Sequence, residues 1–217
     1  MTSRSPHALT APGPGSVPAP VSGSGPVSGS APVPGPATVP GRDAGRDGGR
    51  DASAGVDPAD FRAAMARFAA GVVVVTTRAA DGSPRGFTAT SFCSLSLDPP
   101  LVLVCLSHSS SSFPDFDACE EFAVSILRRE DEPVARLFAT SGADRFPDGE
   151  QAHTPSLLPV VNGAIGQLDC TLHARHRAGD HTIMIGRVDD VRLAPGEPLV
   201  YYDRAFGTLA PGPHRAP

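Results

Sequence analysis

Seven short runs of apolar and β-branched residues constrain the fold of this chain more than any other feature. Each run has about the length of a β-strand, and Gly, Pro, Asp or Ser residues separate it from the next. The runs are VVVVTT (72–77), RGFTATSF (85–92), LVLVCLS (101–107), EFAVSILR (121–128), GQLDCTLHARHRAG (166–179), HTIMIGRVDDVRL (181–193) and EPLVYYD (197–203). Many strands at short spacing favour an antiparallel barrel over a doubly wound parallel sheet. Neither a Gly-x-Gly-x-x-Gly turn after a strand nor a P-loop motif occurs in the sequence.

Helical patterns are few and short, so the predicted fold class is mainly β. In VDPADFRAAMARFAAG (56–71) Asp57 is a good N-cap, and Pro58 suits the first helical position. Phe61, Met65 and Phe68 recur at spacings of four and three, and Gly71 is predicted to end this helix. Two further helices are expected at 113–119 and 131–140, followed by a long irregular segment of the kind that often carries function.

Composition divides the chain into a tail and one domain. Residues 1–56 hold ten of the 24 prolines and eleven of the 23 glycines and have no hydrophobic period. Such a segment buries too little apolar area to offset the entropy of ordering it, so we predict a disordered tail. The ordered domain is predicted over 57–210, with a short C-terminal tail at 211–217.

Charge and cysteine usage narrow the functional classes. The formal net charge of −5 argues against a nucleic-acid partner held by phosphate contacts. No apolar run approaches the roughly 20 residues of a membrane span, and the N-terminus lacks the apolar region of a secretory signal. The four cysteines are scattered without metal-ligand spacing, which indicates reduced thiols in a cytoplasmic protein.

Two hydroxyl-rich segments are candidate ligand sites. GFTATSFCSLSLDPP (86–100) carries Thr88, Thr90, Ser91, Ser94 and Ser96 on a strand and the bend after it. Clustered hydroxyls with free backbone N–H groups can bind a phosphate and a polyol chain. The alternative is a strand whose Thr and Ser residues face solvent. SHSSSS (107–112) is a second, weaker cluster.

The stretch GDHTIMIGRV (179–188) places His181 where a hairpin turns. Asp180 either orients the imidazole or caps the turn, and an exposed turn histidine is the alternative interpretation. The sequence offers no nucleophile-elbow serine or cysteine near a histidine, and no pair of carboxylates at a catalytic spacing.

Three segments together resemble one family. The chain is similar to the flavin reductase-like family in GVVVVTT…DGSPRGFTATSFCSLSLDPPLVLVCL, in GDHTIMIGRV and in PLVYYDRAFGTL. The second of these segments has the pattern Gly-Asp-His, four residues, Gly, any residue, Val. These are short FMN-binding split-barrel reductases of two-component flavin monooxygenases, and the resemblance covers about residues 58–210. It implies an antiparallel FMN-binding split β-barrel of Greek-key type.

The resemblance also implies the residues of the site. His181 is expected to be catalytic, at the nicotinamide cofactor. The cofactor-binding residues expected are Thr88, Ala89, Thr90, Ser91, Ser94, Ser109, Ser110, Ser111, Gly179, Asp180, His181, Arg85 and Phe146. Because the chain has no Lys, Arg85, Arg145 or Arg128 must supply any positive charge at the flavin phosphate, unless hydroxyls and backbone bind it alone.

The implied reaction is hydride transfer from NADH or NADPH to FMN or FAD, with the reduced flavin diffusing to a partner monooxygenase. The cofactors carry this chemistry, which fits a sequence without an acid–base constellation. A homodimer is also implied. The alternatives are a split-barrel flavoprotein whose bound FMN acts directly on another substrate, and a non-enzymatic flavin-binding protein.

Overall fold

The structure is a computed structural model that describes residues 55–147 and 152–209. The predicted N-terminal tail lies outside these residues except for Gly55 and Val56, and the predicted C-terminal tail lies wholly outside them. The boundaries of the domain therefore stay predictions. Within the described ranges, no helix is long and apolar enough to cross a membrane.

Twelve strands are present in the described residues, and seven of them form one antiparallel sheet. The strands are β1 (Ala70–Gly71), β2 (Val73–Arg78), β3 (Pro84–Ala89), β4 (Cys93–Leu97), β5 (Pro100–Ser107), β6 (Glu121–Ile126), β7 (Ala152–His153), β8 (Pro159–Val160), β9 (Gly166–Ala178), β10 (His181–Leu193), β11 (Val200–Tyr202) and β12 (Ala205–Gly207). The order across the large sheet is β3-β2-β6-β9-β10-β5-β4. The barrel is not closed, since β3 and β4 are the two ends of this order. The predicted mainly β, antiparallel class is confirmed.

Three α-helices accompany the strands: α1 (Pro58–Ala66), α2 (Phe113–Ala118) and α3 (Glu132–Ala139). The Asp57 carboxylate accepts hydrogen bonds from the amides of the first turn of α1, as an N-cap does. The prediction that Gly71 ends this helix is wrong. The helix ends at Ala66, because the following amides turn back onto the carbonyls of its last turn. Gly71 instead pairs with Val200 in β1.

Strand β2 explains the four consecutive valines. Val73 and Val75 pack into the main core with the side chains of β3, β5 and β6. Val72 and Val74 face a second cluster, which includes Phe138 of α3. Apolar residues on both faces of one strand are expected where the strand is covered on both sides, and burying each valine contributes about 1.5–3 kcal/mol.

Strand β9 departs from the simple alternation that its sequence predicts. Leu168 and Cys170 are buried as expected, but Asp169 between them is also buried, at 3% exposure. The segment that leads to β8 covers this face, and the Ser156 amide donates to the Asp169 carboxylate at 2.9 Å. The hydrogen bond offsets part of the cost of burying a charge.

Gly186 marks an irregularity in the β9–β10 hairpin. The register of this pair shifts between Ile185 and Gly186, as in a β-bulge. A Cβ on Gly186 would clash with Cζ of the buried Phe122 and lie 2.8 Å from its Cε1. The second glycine of the Gly-Asp-His motif is therefore required by packing against β6.

Candidate functional site

A cavity of about 430 Å³ lies beside the junction of β5 and β10. Ser107 ends β5 and is paired with His181, the first residue of β10. The wall comes from the end of β3, the end of β5, the loop before α2, the C-terminal end of α3 and the segment after it. The lining residues are Phe87, Thr88, Ala89, Thr90, Ser91, Cys105, Leu106, Ser107, Ser109, Ser110, Ser111, Phe138, Ala139, Ser141, Arg145 and His181. This volume falls within the range of small-molecule and cofactor sites.

Hydroxyl groups at the end of β3 fix the shape of one wall. The Thr88 hydroxyl donates to the carbonyl of Ala135 in α3 at 2.7 Å. The Ser91 hydroxyl accepts from the Cys105 amide at 3.0 Å and donates to the Cys105 carbonyl at 3.3 Å. Each hydroxyl thus ties β3 or its bend to a neighbouring element and keeps lone pairs for a ligand.

The loop from Ser107 to Ser112, here called the serine loop, forms the opposite wall. The Ser107 and Ser109 hydroxyls lie 2.9 Å apart, and the Ser110 carbonyl accepts from the Phe113 amide at 3.0 Å. The buried Ser112 hydroxyl donates to the Gly86 carbonyl of β3 at 3.1 Å. Both ends of the loop are therefore held, and the hydroxyl-bearing residues between them line the cavity.

Arg145 places a guanidinium group between the serine loop and the end of α3. It donates to the Ser112 hydroxyl at 3.1 Å and to the Thr140 carbonyl at 3.0 Å, while its Nε is buried without a hydrogen-bond partner. Burial lowers the pKa of this side chain. No carboxylate in the described part of the chain forms a salt bridge with it. A guanidinium with donor capacity to spare among serine hydroxyls is suited to a phosphate group.

His181 stands at the rim on a tight turn. Gly179 has φ +62°, which suits the first central position of a type II′ turn and favours glycine. The Asp180 carboxylate lies 2.7 Å from His181 Nδ1, and this hydrogen bond lowers the pKa of Asp180. Because an ionised carboxylate only accepts, Nδ1 carries the hydrogen, which leaves Nε2 of the neutral ring as an acceptor.

The turn and the serine loop are joined directly. The His108 amide donates to the Asp180 carbonyl at 2.9 Å, and His108 Nε2 lies 3.0 Å from the Thr182 hydroxyl. The His108 ring also packs edge-on against Phe113 at 4.9 Å. His108 therefore fixes the position of the Gly-Asp-His turn relative to the hydroxyl groups across the cavity.

Eight residues of the predicted site line this cavity. They are Thr88, Ala89, Thr90, Ser91, Ser109, Ser110, Ser111 and His181. Gly179 and Asp180 form the adjoining turn but not the wall. Ser94 lies outside the lining, on β4 opposite Val102.

Arg85 and Phe146 line a neighbouring cavity of about 500 Å³, which shares Arg145 and Ser111 with the first. Arg85 is already engaged, because its Nε donates to the Asp115 carboxylate at 3.0 Å. Phe146 packs against the Phe138 ring at 5.3 Å. Of the three arginines considered for the flavin phosphate, Arg145 is the one that lines the first cavity, and Arg128 is bound to Asp131 elsewhere.

Sequence reasoning missed several wall residues. Cys105 and Ser107 lie on the half-buried face of β5, but LVLVCLS is apolar up to Leu106 and carries no signal that distinguishes its two faces. Phe138, Ala139 and Ser141 enter the wall because α3 packs against β3, and no local pattern predicts that packing.

Comparison with known proteins identifies the class. Residues 65–210 match the flavin reductase like domain, and the chain belongs to this family. The actinorhodin polyketide dimerase of Streptomyces coelicolor is 47% identical over 154 residues, which are 70% of this chain and 87% of that protein. The reductase component of the 4-hydroxyphenylacetate 3-monooxygenase of Thermus thermophilus is 40% identical over 69% of this chain and 95% of that protein.

The fold agrees with a solved relative. The structure of the NADH:FAD oxidoreductase of Streptomyces globisporus, in complex with NAD and FAD fragments, superimposes with a TM-score of 0.66 at 35% identity. The match covers 73% of this chain and 98% of that one. The predicted split-barrel fold is thereby confirmed.

Proposed function

We propose that this protein is an NAD(P)H-dependent flavin reductase that transfers hydride to FMN or FAD and supplies reduced flavin to a partner monooxygenase. The observation that carries the proposal is the convergence of His181, the hydroxyl groups and Arg145 on one cavity, in a chain of the flavin reductase like family. The relative from Thermus thermophilus, named as the reductase component of a monooxygenase, supports the partner.

The residues of the cavity fit a flavin. Arg145, with its unpartnered Nε, and the serine loop are suited to the phosphate. Thr88 to Ser91 offer hydroxyl and backbone groups for the ribityl chain and the ring edge. When bound, the flavin supplies the electron-accepting ring, and the chain's own groups bind and orient.

His181 is proposed to position the nicotinamide. With Nδ1 bonded to Asp180, its Nε2 accepts a hydrogen bond at the rim, where the carboxamide of a nicotinamide can donate one. The side chain is 43% exposed, so a substrate that enters and leaves can reach it. Alignment of two rings at near-attack distance is the main requirement for hydride transfer, and a fixed imidazole serves that purpose.

A homodimer in the cytoplasm completes the proposal. Phe61, Met65 and Phe68 of the α1 region are 57%, 53% and 74% exposed, and Leu97 of β4 is 92% exposed. A second copy of the chain would remove such apolar groups from water. All four cysteines are free thiols, as is usual in a reducing compartment.

One observation favours a second candidate function. The Streptomyces coelicolor relative is named a polyketide dimerase, so a flavin retained in the cavity could act directly on an organic substrate. Flavin that stays with the purified protein through gel filtration, together with slow NAD(P)H oxidation when free flavin is added, would favour this candidate over the reductase.

The test is steady-state oxidation of NADH and NADPH with FMN, FAD and riboflavin supplied separately. We expect turnover with at least one flavin, and a roughly 10-fold loss of kcat/KM in His181→Ala, the low end for a positioned polar contact. His173→Ala is the matched control, since His173 is exposed on β9 and does not line the cavity. Absence of turnover with every flavin would refute the reductase, and wild-type kcat and KM in His181→Ala would refute the role of His181.

A further inference from the structure

A further cavity, of about 490 Å³ and here called the second cavity, adjoins the proposed flavin cavity and is distinct from the one that Arg85 lines. It has no role in the function proposed so far. The two cavities share Thr88, Thr90 and Ala139. Arg136, Tyr201, Arg204 and Phe206 provide aromatic and cationic groups on its wall. Because the cavities share part of their lining, they lie side by side at the end of β3.

The aromatic part of the wall is a preformed stacking surface. Tyr201 and Phe206 are cross-strand partners in the β11–β12 hairpin, and their rings meet edge-on at 5.2 Å. The Arg136 guanidinium lies 4.8 Å from the Phe206 ring centroid and is also bound to Glu132 at 2.7 Å. Both aromatic rings remain partly exposed. Such surfaces bind the planar face of a nucleobase.

Arg204 adds a cation whose backbone position is unusual. Arg204 follows Asp203 at the tip of the β11–β12 hairpin. The φ value is +47° at Asp203 and +65° at Arg204. A two-residue turn with both central residues in the left-handed region favours Asn-Gly or Asp-Gly, so glycine is the expected residue at position 204. Within the described residues Arg204 forms neither a hydrogen bond nor an ion pair, which leaves its guanidinium available to an anion.

We propose that this second cavity binds the adenylate group of a dinucleotide, with the base on the Tyr201–Phe206 surface and a phosphate at Arg204. The inference rests on the proposed function. FAD and NAD(P)H each carry an adenylate group, which a pyrophosphate joins to the half of the molecule whose ring must reach the flavin cavity. FMN lacks this group. The second cavity is thus a specificity-determining site of the reductase.

The first measurement is calorimetric titration of the full-length protein with 5′-AMP. The variant is Arg204→Gly, because glycine adopts φ +65° without strain and the fold should be kept. We expect AMP binding to weaken about 10-fold and the melting temperature to stay equal or rise. Arg62→Ala, an exposed arginine of α1 outside the cavity, should bind AMP as the wild type does. FMN affinity should be unchanged in both variants.

Steady-state kinetics then distinguish the two sources of the adenylate. If FAD supplies it, Arg204→Gly raises KM for FAD and leaves KM for FMN unchanged. If NAD(P)H supplies it, KM for the nicotinamide cofactor rises with either flavin. Failure of AMP to bind the wild type, or equal AMP affinity in Arg204→Gly, would overturn the assignment. Failure of the reductase proposal would appear separately, as absence of NAD(P)H oxidation by a wild-type protein that still binds AMP.

Discussion

Replacing Gly186 with alanine is expected to destabilise the domain by about 2 kcal/mol. The new Cβ would clash with Phe122 Cζ, lying 2.8 Å from Phe122 Cε1 and 3.0 Å from Cys170 Cβ, and both of these side chains are almost fully buried. Overpacking of this kind costs about 1–3 kcal/mol, and the distances point to the upper end. The substitution also lowers the conformational entropy of the unfolded chain, which stabilises the folded state by about 0.4–1 kcal/mol. For a domain of about 150 residues the net loss corresponds to a melting temperature lower by about 4–8 °C.

Thermal and urea unfolding of the two proteins measure this loss, and a matched control is available. Gly71 has open space around its Cα and no positive φ, so Gly71→Ala should be neutral or slightly stabilising. Phe122→Leu removes the ring atoms that clash with the new Cβ, so the double variant Gly186→Ala, Phe122→Leu should show a favourable coupling of about 1 kcal/mol. A free energy of unfolding within about 0.5 kcal/mol of wild type for Gly186→Ala alone would refute the packing explanation of this glycine.

Two further expectations concern the thiols. Ellman's reagent should modify the exposed Cys93 first and Cys105 more slowly, and FMN should slow only Cys105, because Cys105 lines the cavity proposed to bind flavin. Equal rates for Cys105 with and without saturating FMN would place the flavin elsewhere. Burial raises the pKa of the Cys170 thiol from its ordinary value of 9 to about 12. The unfolded chain therefore loses this proton at a lower pH than the folded chain does, and the free energy of unfolding should fall as pH rises from about 9 to 12. Cys170→Ala should reduce that slope, and an unchanged slope in denaturant titrations would argue against the shifted pKa.

The parts of the fold that sequence predicted are those with a local cause. Period-two alternation and β-branched runs located β2, β5, β6, β9 and β10 within a few residues, because these strands bury the same side chains whatever their partners. The start of α1 was predictable because Asp57 and Pro58 act within one turn. The order of strands in the sheet has no such local signature and was not predicted; the family resemblance implied only a split barrel of Greek-key type.

The parts that sequence missed depend on contacts between distant segments. The alternation in β9 predicts that Asp169 faces solvent, but Asp169 is buried and its carboxylate accepts a hydrogen bond from the Ser156 amide. Arg145 was one of three candidate arginines, but it lies in an irregular segment with no period, so local sequence could not predict its place between Ser112 and Thr140. Arg85 directly precedes the hydroxyl-rich segment in the sequence, but its guanidinium forms a salt bridge with Asp115 of α2.

The Gly-Asp-His motif combines three separate physical requirements. Gly179 supplies a left-handed turn, Asp180 orients the His181 ring, and Gly186 leaves room for Phe122 of β6. The spacing of five residues from His181 to Gly186 is the distance along β10 from its first residue to the bulge where the β9–β10 register shifts. Close packing at Gly186 fixes β10 against the core, and the His108 amide fixes the turn at the other end. The imidazole therefore takes its position from both ends of one strand segment, which explains why a cavity-lining residue and a packing residue occur in a single motif.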